Sequence, residues 1–152
     1  MGAVEFFDND FGLVTLHRFE NINDKQRLAQ LVKELNEVHK DYLPLWMPVH
    51  PATSNKLEAF DLELIIFTAP PVGYLQMLWL LKKCKIVLTD SGGLQKEAYF
   101  SNKPCITLRE ESEWVELLES GCNKLHHIGK TNLNLLLTEM LSINFDFSWI
   151  IL

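Results

Sequence analysis

Ile86-Val87-Leu88-Thr89-Asp90-Ser91-Gly92-Gly93, with Glu97 after three more residues, decides the fold. An apolar run rich in β-branched residues ends in a Ser-Gly-Gly turn, and a helical pattern (Leu94, Ala98, Tyr99) begins at once. This is a strand feeding a helix N-terminus. Such a turn aims unpaired backbone N–H groups and the positive end of the helix dipole at one point, where a phosphate fits. Glycines there let backbone approach a ligand with no Cβ in between. Serine and glycine also make plain strand–helix connections. Two features favour a ligand site: the buried strand before the turn, and Glu97 one helical turn in, placed to reach ribose hydroxyls. The stretch lacks the lysine of a Walker A loop and the spacing of a GxGxxG fingerprint.

Outward from this stretch the chain alternates strands and helices. Phe11 to Leu16 reads as a strand, and Asn23-Asp24-Lys25-Gln26 as a helix start. Leu28, Leu31, Val32, Leu35 and Val38 then form one helical face. Leu43 to Val49 is a second strand, stopped at His50-Pro51 by proline, and Leu62 to Phe67 a third, followed by Pro70-Pro71. Tyr74 to Leu81 reads as a helix apolar nearly all round and therefore buried. Cys105 to Leu108 is a strand, Glu113 to Leu118 a helix ended by Gly121, and Leu133 to Leu141 a last helix after a short segment at Leu125 to Ile128.

Strands alternating with helices make βαβ units, hence a parallel sheet with right-handed crossovers. Continuous apolar strands imply burial on both faces. The expected fold is α/β, a Rossmann-like doubly wound parallel sheet, in one domain over residues 1–152. In such sheets ligands lie beyond the carboxyl ends of the strands. Thr15-Leu16-His17-Arg18, His50-Pro51 and Thr89 to Gly93 all fall there.

Composition narrows the class. A length of 152 residues suits one domain, and 47% hydrophobic with 22% charged residues is ordinary for a folded protein. The net charge of −6, without a Lys/Arg stripe, argues against a nucleic-acid surface. Cys84, Cys105 and Cys122 are odd in number, lack CxxC spacing and sit among apolar residues. They read as reduced core residues of a cytoplasmic protein. No signal-peptide pattern stands out, and no apolar run has transmembrane length. Phe145 to Leu152 is strongly apolar and calls for a packing partner.

His17 and Arg18, at a strand end, suit an anionic leaving group: arginine is a fixed donor fork and histidine titrates near neutrality. His50, taken alone, fits a strand terminator. Arg109 suits a salt bridge or a phosphate contact rather than catalysis. Glu110, Glu111 and Glu113 read as the acidic first turn of a helix. His126-His127 has no third ligand at metal-binding spacing. Trp46, Trp79 and Trp149 are expected in the core, and Trp114 beside the ligand.

Four stretches carry a resemblance: Val14-Thr15-Leu16-His17-Arg18-Phe19-Glu20-Asn21, Pro48-Val49-His50-Pro51-Ala52-Thr53, Thr89-Asp90-Ser91-Gly92-Gly93-Leu94-Gln95-Lys96-Glu97-Ala98 and Leu108-Arg109-Glu110-Glu111-Ser112-Glu113-Trp114. In this order they resemble the non-hydrolysing UDP-N-acetylglucosamine 2-epimerases, over most of the chain from Val14 to the helix after Ile128. The resemblance implies the C-terminal, nucleotide-holding half of a two-domain fold of the glycosyltransferase-B type. It also implies a reaction without cofactor or metal: the sugar C2 proton is removed, UDP is expelled to leave a glycal, and UDP is re-added with C2 inverted.

By the same resemblance His17 stabilises the departing phosphate, Ser91, Gly92 and Gly93 hold the diphosphate, and Glu97 the ribose. The Pro71 to Met77 region, including Tyr74 and Met77, borders the uracil. Arg18, His50 and Arg109 complete the expected substrate-binding set. The acids that handle the C2 proton belong to the N-terminal domain of that fold, the expected partner of this half besides UDP or a UDP-sugar. Without it, weak UDP binding and no epimerisation are expected. Trp114, Lys96 and His126-His127 depart from the family pattern, which commonly has arginine, an acidic residue and a smaller apolar pair there. A glycosyltransferase half, or a non-catalytic fragment that associates into homo-oligomers, are the competing readings.

Overall fold

The structure, a computed structural model, describes residues 6–148. In chain order the elements are β1 (Gly12–Thr15), α1 (Phe19–Ile22), α2 (Lys25–Asp41), β2 (Leu45–Pro48), α3 (Pro51–Ala59), β3 (Phe67–Ala69) and α4 (Tyr74–Lys83). There follow β4 (Ile86–Thr89), α5 (Gly92–Phe100), β5 (Cys105–Thr107), α6 (Val115–Ser120), β6 (Asn123–Leu125) and α7 (Leu133–Ser142). The strands form one parallel sheet in the order β3-β2-β1-β4-β5-β6. The chain winds outward from β1 to β3, returns beside β1 as β4, and winds out the other way. The order therefore reverses between β1 and β4, and such a reversal opens a crevice at the strand carboxyl ends.

The central strands β1, β4 and β5 are buried along their length because both their faces are covered, whereas the edge strands are not: β3 is largely exposed and β6 is Asn-Lys-Leu. Leu13, Val87 and Cys105 point to one face and pack with Leu80 and Leu81 of α4 and Leu94 and Ala98 of α5. Val14, Leu88 and Ile106 point to the other, against the α2 stripe Leu28, Leu31 and Leu35 and against Leu137 of α7. This is the doubly wound sheet expected from the alternation. Asp24 caps α2, its side chain accepting the Arg27 N–H at 3.1 Å. A buried pair ties α2 to the loop before α7: Glu34 bonds His126, whose Nδ1 meets Thr131 Oγ1 at 2.6 Å.

Several expectations need correction. The third strand is Phe67–Ala69, not Leu62 to Phe67. Upstream of it the backbone is held by a side chain: Asn36 of α2 donates to the Glu63 carbonyl and accepts the Ile65 N–H, each at 2.9 Å. Leu62 and Leu64 pack as loop residues. Pro51 ends β2 but also opens α3, where it occupies the first turn and its missing N–H costs nothing. Helix α4 buries Leu80 and Leu81 only, while Tyr74, Leu75 and Trp79 are exposed. Trp79 is thus no core residue, although it meets Phe7 edge-on. Trp46 is half-buried, and Trp149 lies outside the described residues. Helix α6 starts at Val115, so Glu110, Glu111 and Glu113 belong to the loop before it. Phe145 and Phe147 pack with Tyr99 and Leu117; the rest of the apolar tail lies outside the described residues. Among the described residues no helix is long and apolar enough to cross a membrane.

Candidate functional site

The crevice at the strand-order reversal is a cleft of about 320 Å³, lined by His17, His50, Tyr74, Met77, Ser91, Gly93 and Glu97 among others. Its floor is fixed by paired strand ends. Thr15 and Thr89 are in register, and their hydroxyls hydrogen-bond to each other. Thr89 Oγ1 also accepts the Ser91 N–H at 2.9 Å, which bends the chain into the turn. Ser91 then caps α5, its Oγ accepting the Leu94 N–H at 3.3 Å. The N–H groups of Gly92 and Gly93 point out of the helix start, where no helical carbonyl reaches them, and no acceptor among the described residues meets them.

Asp90 builds the opposite wall. Its carboxylate is fully buried and accepts the His17 N–H at 3.1 Å on each oxygen and the Arg18 N–H at 2.8 Å. The Asn21 amide donates to Asp90 at 3.0 Å and to the Leu108 carbonyl at 2.9 Å. His17 Nε2 lies 3.8 Å from Asp90 Oδ1. The backbone of His17 is thereby fixed by Asp90, and its ring lines the cleft while remaining 41% exposed. Asp90 and Asn21 stood inside the sequence stretches quoted above but were assigned no role. Their signal was a carboxylate and an amide at strand and loop ends in an otherwise apolar setting, which burial obliges to pair.

His50 is more than a strand terminator. It caps α3, Nδ1 accepting the Ala52 N–H at 3.1 Å, which leaves the ring proton of the neutral form on Nε2. Its ring centroid is 6.2 Å from that of His17.

The two glycines face different ways. A Cβ on Gly93 would meet only Ser91 Oγ at 4.0 Å, so open space lies over it, on the cleft side. A Cβ on Gly92 would lie 1.8 Å from Glu113 Oε1. On that side the Glu113 carboxylate and the Trp114 indole of the β5–α6 loop lie against Gly92, and a Cβ would push the flexible Glu113 side chain aside.

Arg18 and Arg109 are not in this cleft. With Arg27, Glu20, Glu110 and Glu111 they line a neighbouring recess of about 390 Å³. Arg109 pairs with Glu113 at 2.8 Å and Arg18 with Glu20 at 3.2 Å. Glu20 and Glu113 lie below the usual carboxylate range, each chiefly through a bond at its own backbone, with Arg18 and Arg109 adding to the effect. His127 bonds Glu110 at 2.7 Å. Both adjacent histidines thus bond carboxylates, and no group of three potential metal ligands occurs among the described residues.

Comparison with known proteins places this cleft. The family model described as UDP-N-acetylglucosamine 2-epimerase matches residues 2–144. The UDP-2,3-diacetamido-2,3-dideoxy-D-glucuronate 2-epimerase of Pseudomonas aeruginosa is 50% identical over 115 residues, covering 76% of this chain and 32% of that protein. The UDP-N-acetylglucosamine 2-epimerase of Methanocaldococcus jannaschii is 37% identical over 149 residues, covering 93% of this chain and 40% of that protein. A crystal structure of the Methanocaldococcus jannaschii enzyme with UDP-GlcNAc and UDP superposes with a TM-score of 0.87 at 36% identity, over 97% of this chain and 44% of that one. The chain spans about a third to two fifths of the length of these curated relatives.

Proposed function

The chain belongs to the UDP-N-acetylglucosamine 2-epimerase family, and from that membership we propose that it is the nucleotide-holding part of a UDP-sugar 2-epimerase. The observation that carries the reading is the pair of unmet N–H groups at Gly92 and Gly93, set at the strand-order reversal opposite a histidine fixed by Asp90. The diphosphate sits on the start of α5, with Ser91 and Gly93 lining its side of the cleft and Gly92 giving its N–H. Glu97 takes the ribose, and Tyr74 and Met77 border the uracil.

In the proposed reaction the C2 proton leaves to a base and the C1–O bond breaks with its electrons to UDP. The glycal then takes UDP back while C2 is reprotonated on the other face. Oriented amides and His17 stabilise the charge that develops on the departing diphosphate. The residues that move the C2 proton are assigned to the second domain of the family fold, so this stretch contributes binding and leaving-group stabilisation. Arg18 and Arg109, from their recess, act on this cleft through the loops they brace. The two relatives leave two sugar classes in play, an N-acetylglucosamine and a diacetamido-glucuronate, both carried on UDP. The reading includes a cytoplasmic location, supported by free, buried cysteines. The glycosyltransferase alternative gains no support from the matched family.

Calorimetric titration with UDP, and with uridine as a phosphate-free control, tests it. Saturable UDP binding much tighter than uridine binding, abolished by Ser91→Asp, is the expected result. Equal binding of the two ligands, or undiminished binding in Ser91→Asp, overturns it.

A further inference from the structure

We propose that Trp114 is a positioning residue for the phosphate turn, an inference that rests on the UDP reading above. Its indole N–H donates to the Gly92 carbonyl at 2.8 Å. That carbonyl shares its planar peptide unit with the Gly93 N–H, and in a trans peptide the two point in opposite directions. Anchoring the oxygen from the β5–α6 side therefore fixes the aim of the N–H on the cleft side. The bond also polarises the peptide, which strengthens the N–H as a donor to an anion.

The loop that carries the indole is itself braced. The Trp114 backbone N–H donates to Ser112 Oγ at 3.1 Å, and Ser112 Oγ donates to Gln95 Oε1 at 2.7 Å, on the buried side of α5. Glu113, fixed by Arg109 at 2.8 Å, fills the space beside the Gly92 Cα. The Lys96 ammonium lies 4.4 Å from the centre of the Trp114 ring. Trp114 and Lys96, two of the departures from the family pattern, pack on each other. The Lys96 ammonium over the indole face is a cation–π contact that ties this loop to α5. The turn thus has a closed side at Gly92, made by Glu113 and Trp114, and an open side at Gly93 that faces the ligand.

A role confined to packing would affect UDP and uridine alike, whereas a role through the Gly93 N–H acts on the phosphates alone. Trp114→Phe keeps a ring for Lys96 and removes the N–H. It is expected to weaken UDP binding by roughly five- to tenfold, the worth of one neutral hydrogen bond, and to leave uridine binding unchanged. In the free chain the Gly93 amide proton should move upfield in the variant, read by NMR at unchanged circular dichroism. UDP affinity within twofold of wild type, or equal losses for UDP and uridine, overturns the inference and leaves the nucleotide reading standing. A wild-type chain that binds UDP no better than uridine overturns both.

Discussion

Asp90 holds His17 at two points: both carboxylate oxygens accept its backbone N–H at 3.1 Å, and its ring Nε2 lies 3.8 Å from Oδ1. The same carboxylate takes the Arg18 N–H. A fully buried carboxyl group is tolerated here because the His17 and Arg18 N–H groups and the Asn21 amide all donate to it. The strand end that carries the Ser91-Gly92-Gly93 turn thus also fixes the loop that carries His17.

Asp90→Asn tests that coupling. The amide is isosteric, but its NH2 must face at least one backbone N–H, leaving buried donors unpaired. A loss of about 3 kcal/mol in stability is expected, read by urea denaturation. UDP affinity should fall as well, because the His17 loop loses its anchor. Wild-type stability in Asp90→Asn would mean that the loop is held by other contacts.

The glycines should separate folding from binding. Gly93→Ala places its Cβ in open space, so stability should stay within about 1 kcal/mol of wild type, while UDP affinity falls at least about tenfold because the methyl occupies the phosphate's approach. Gly92→Ala must push the end of the Glu113 side chain aside, a shift a half-exposed carboxylate can make, so it should cost no more than about 1 kcal/mol, the worth of the Glu113 pair with Arg109. A much larger loss in Gly92→Ala, or undiminished UDP affinity in Gly93→Ala, would contradict the division of roles.

Much of this was legible in the sequence because local and global signals agree along Ile86 to Glu97. One apolar strand, one turn and one helix start specify both the sheet and the turn at which we propose the anion sits. The helix at Pro51–Ala59 was not legible, because its polar run Thr53-Ser54-Asn55-Lys56 has no apolar stripe and buries Thr53 alone. The third strand was misplaced because Leu62 to Ile66 is as apolar as a strand, while Asn36, a residue distant in sequence, takes its backbone bonds. Helix α4 has the composition of a buried helix but lies with one face outward. The roles of Asp90, Asn21 and Trp114 depend on partners some 20 to 70 residues away in the chain, and spacing rules do not see such partners.

The thiols give a test independent of ligand. Burial pushes Cys84 and Cys105 up to about 12 and raises Cys122 above its ordinary value. At pH 8 the native chain should hold almost no thiolate and react very slowly with a chromogenic disulfide reagent. In denaturant all three cysteines should react promptly. A fast-reacting thiol in the native chain would show that one of these sites opens.

Glu110 joins the site to the loop before α7, and its titration should be visible in stability. Its carboxyl is held below the usual value of 4.5, first by the bond to His127 and then by Arg27. Arg27 Nε in turn donates to Asn21 Oδ1 at 2.7 Å, and Asn21 donates to Asp90. A carboxyl depressed in the native state binds fewer protons than in the unfolded chain, so its contribution is fully present above pH 4.5 and is lost as pH falls through the lower native value. The side chain is 46% exposed, so water screens the pairing. Glu110→Gln should therefore be less stable than wild type by only about 0.3–0.5 kcal/mol at pH 7. The gap should close as pH drops below 4.5. Urea denaturation of both proteins across pH 3 to 7 measures it. A gap that persists at the acid end would mean that Glu110 acts through the shape of its side chain, not its charge.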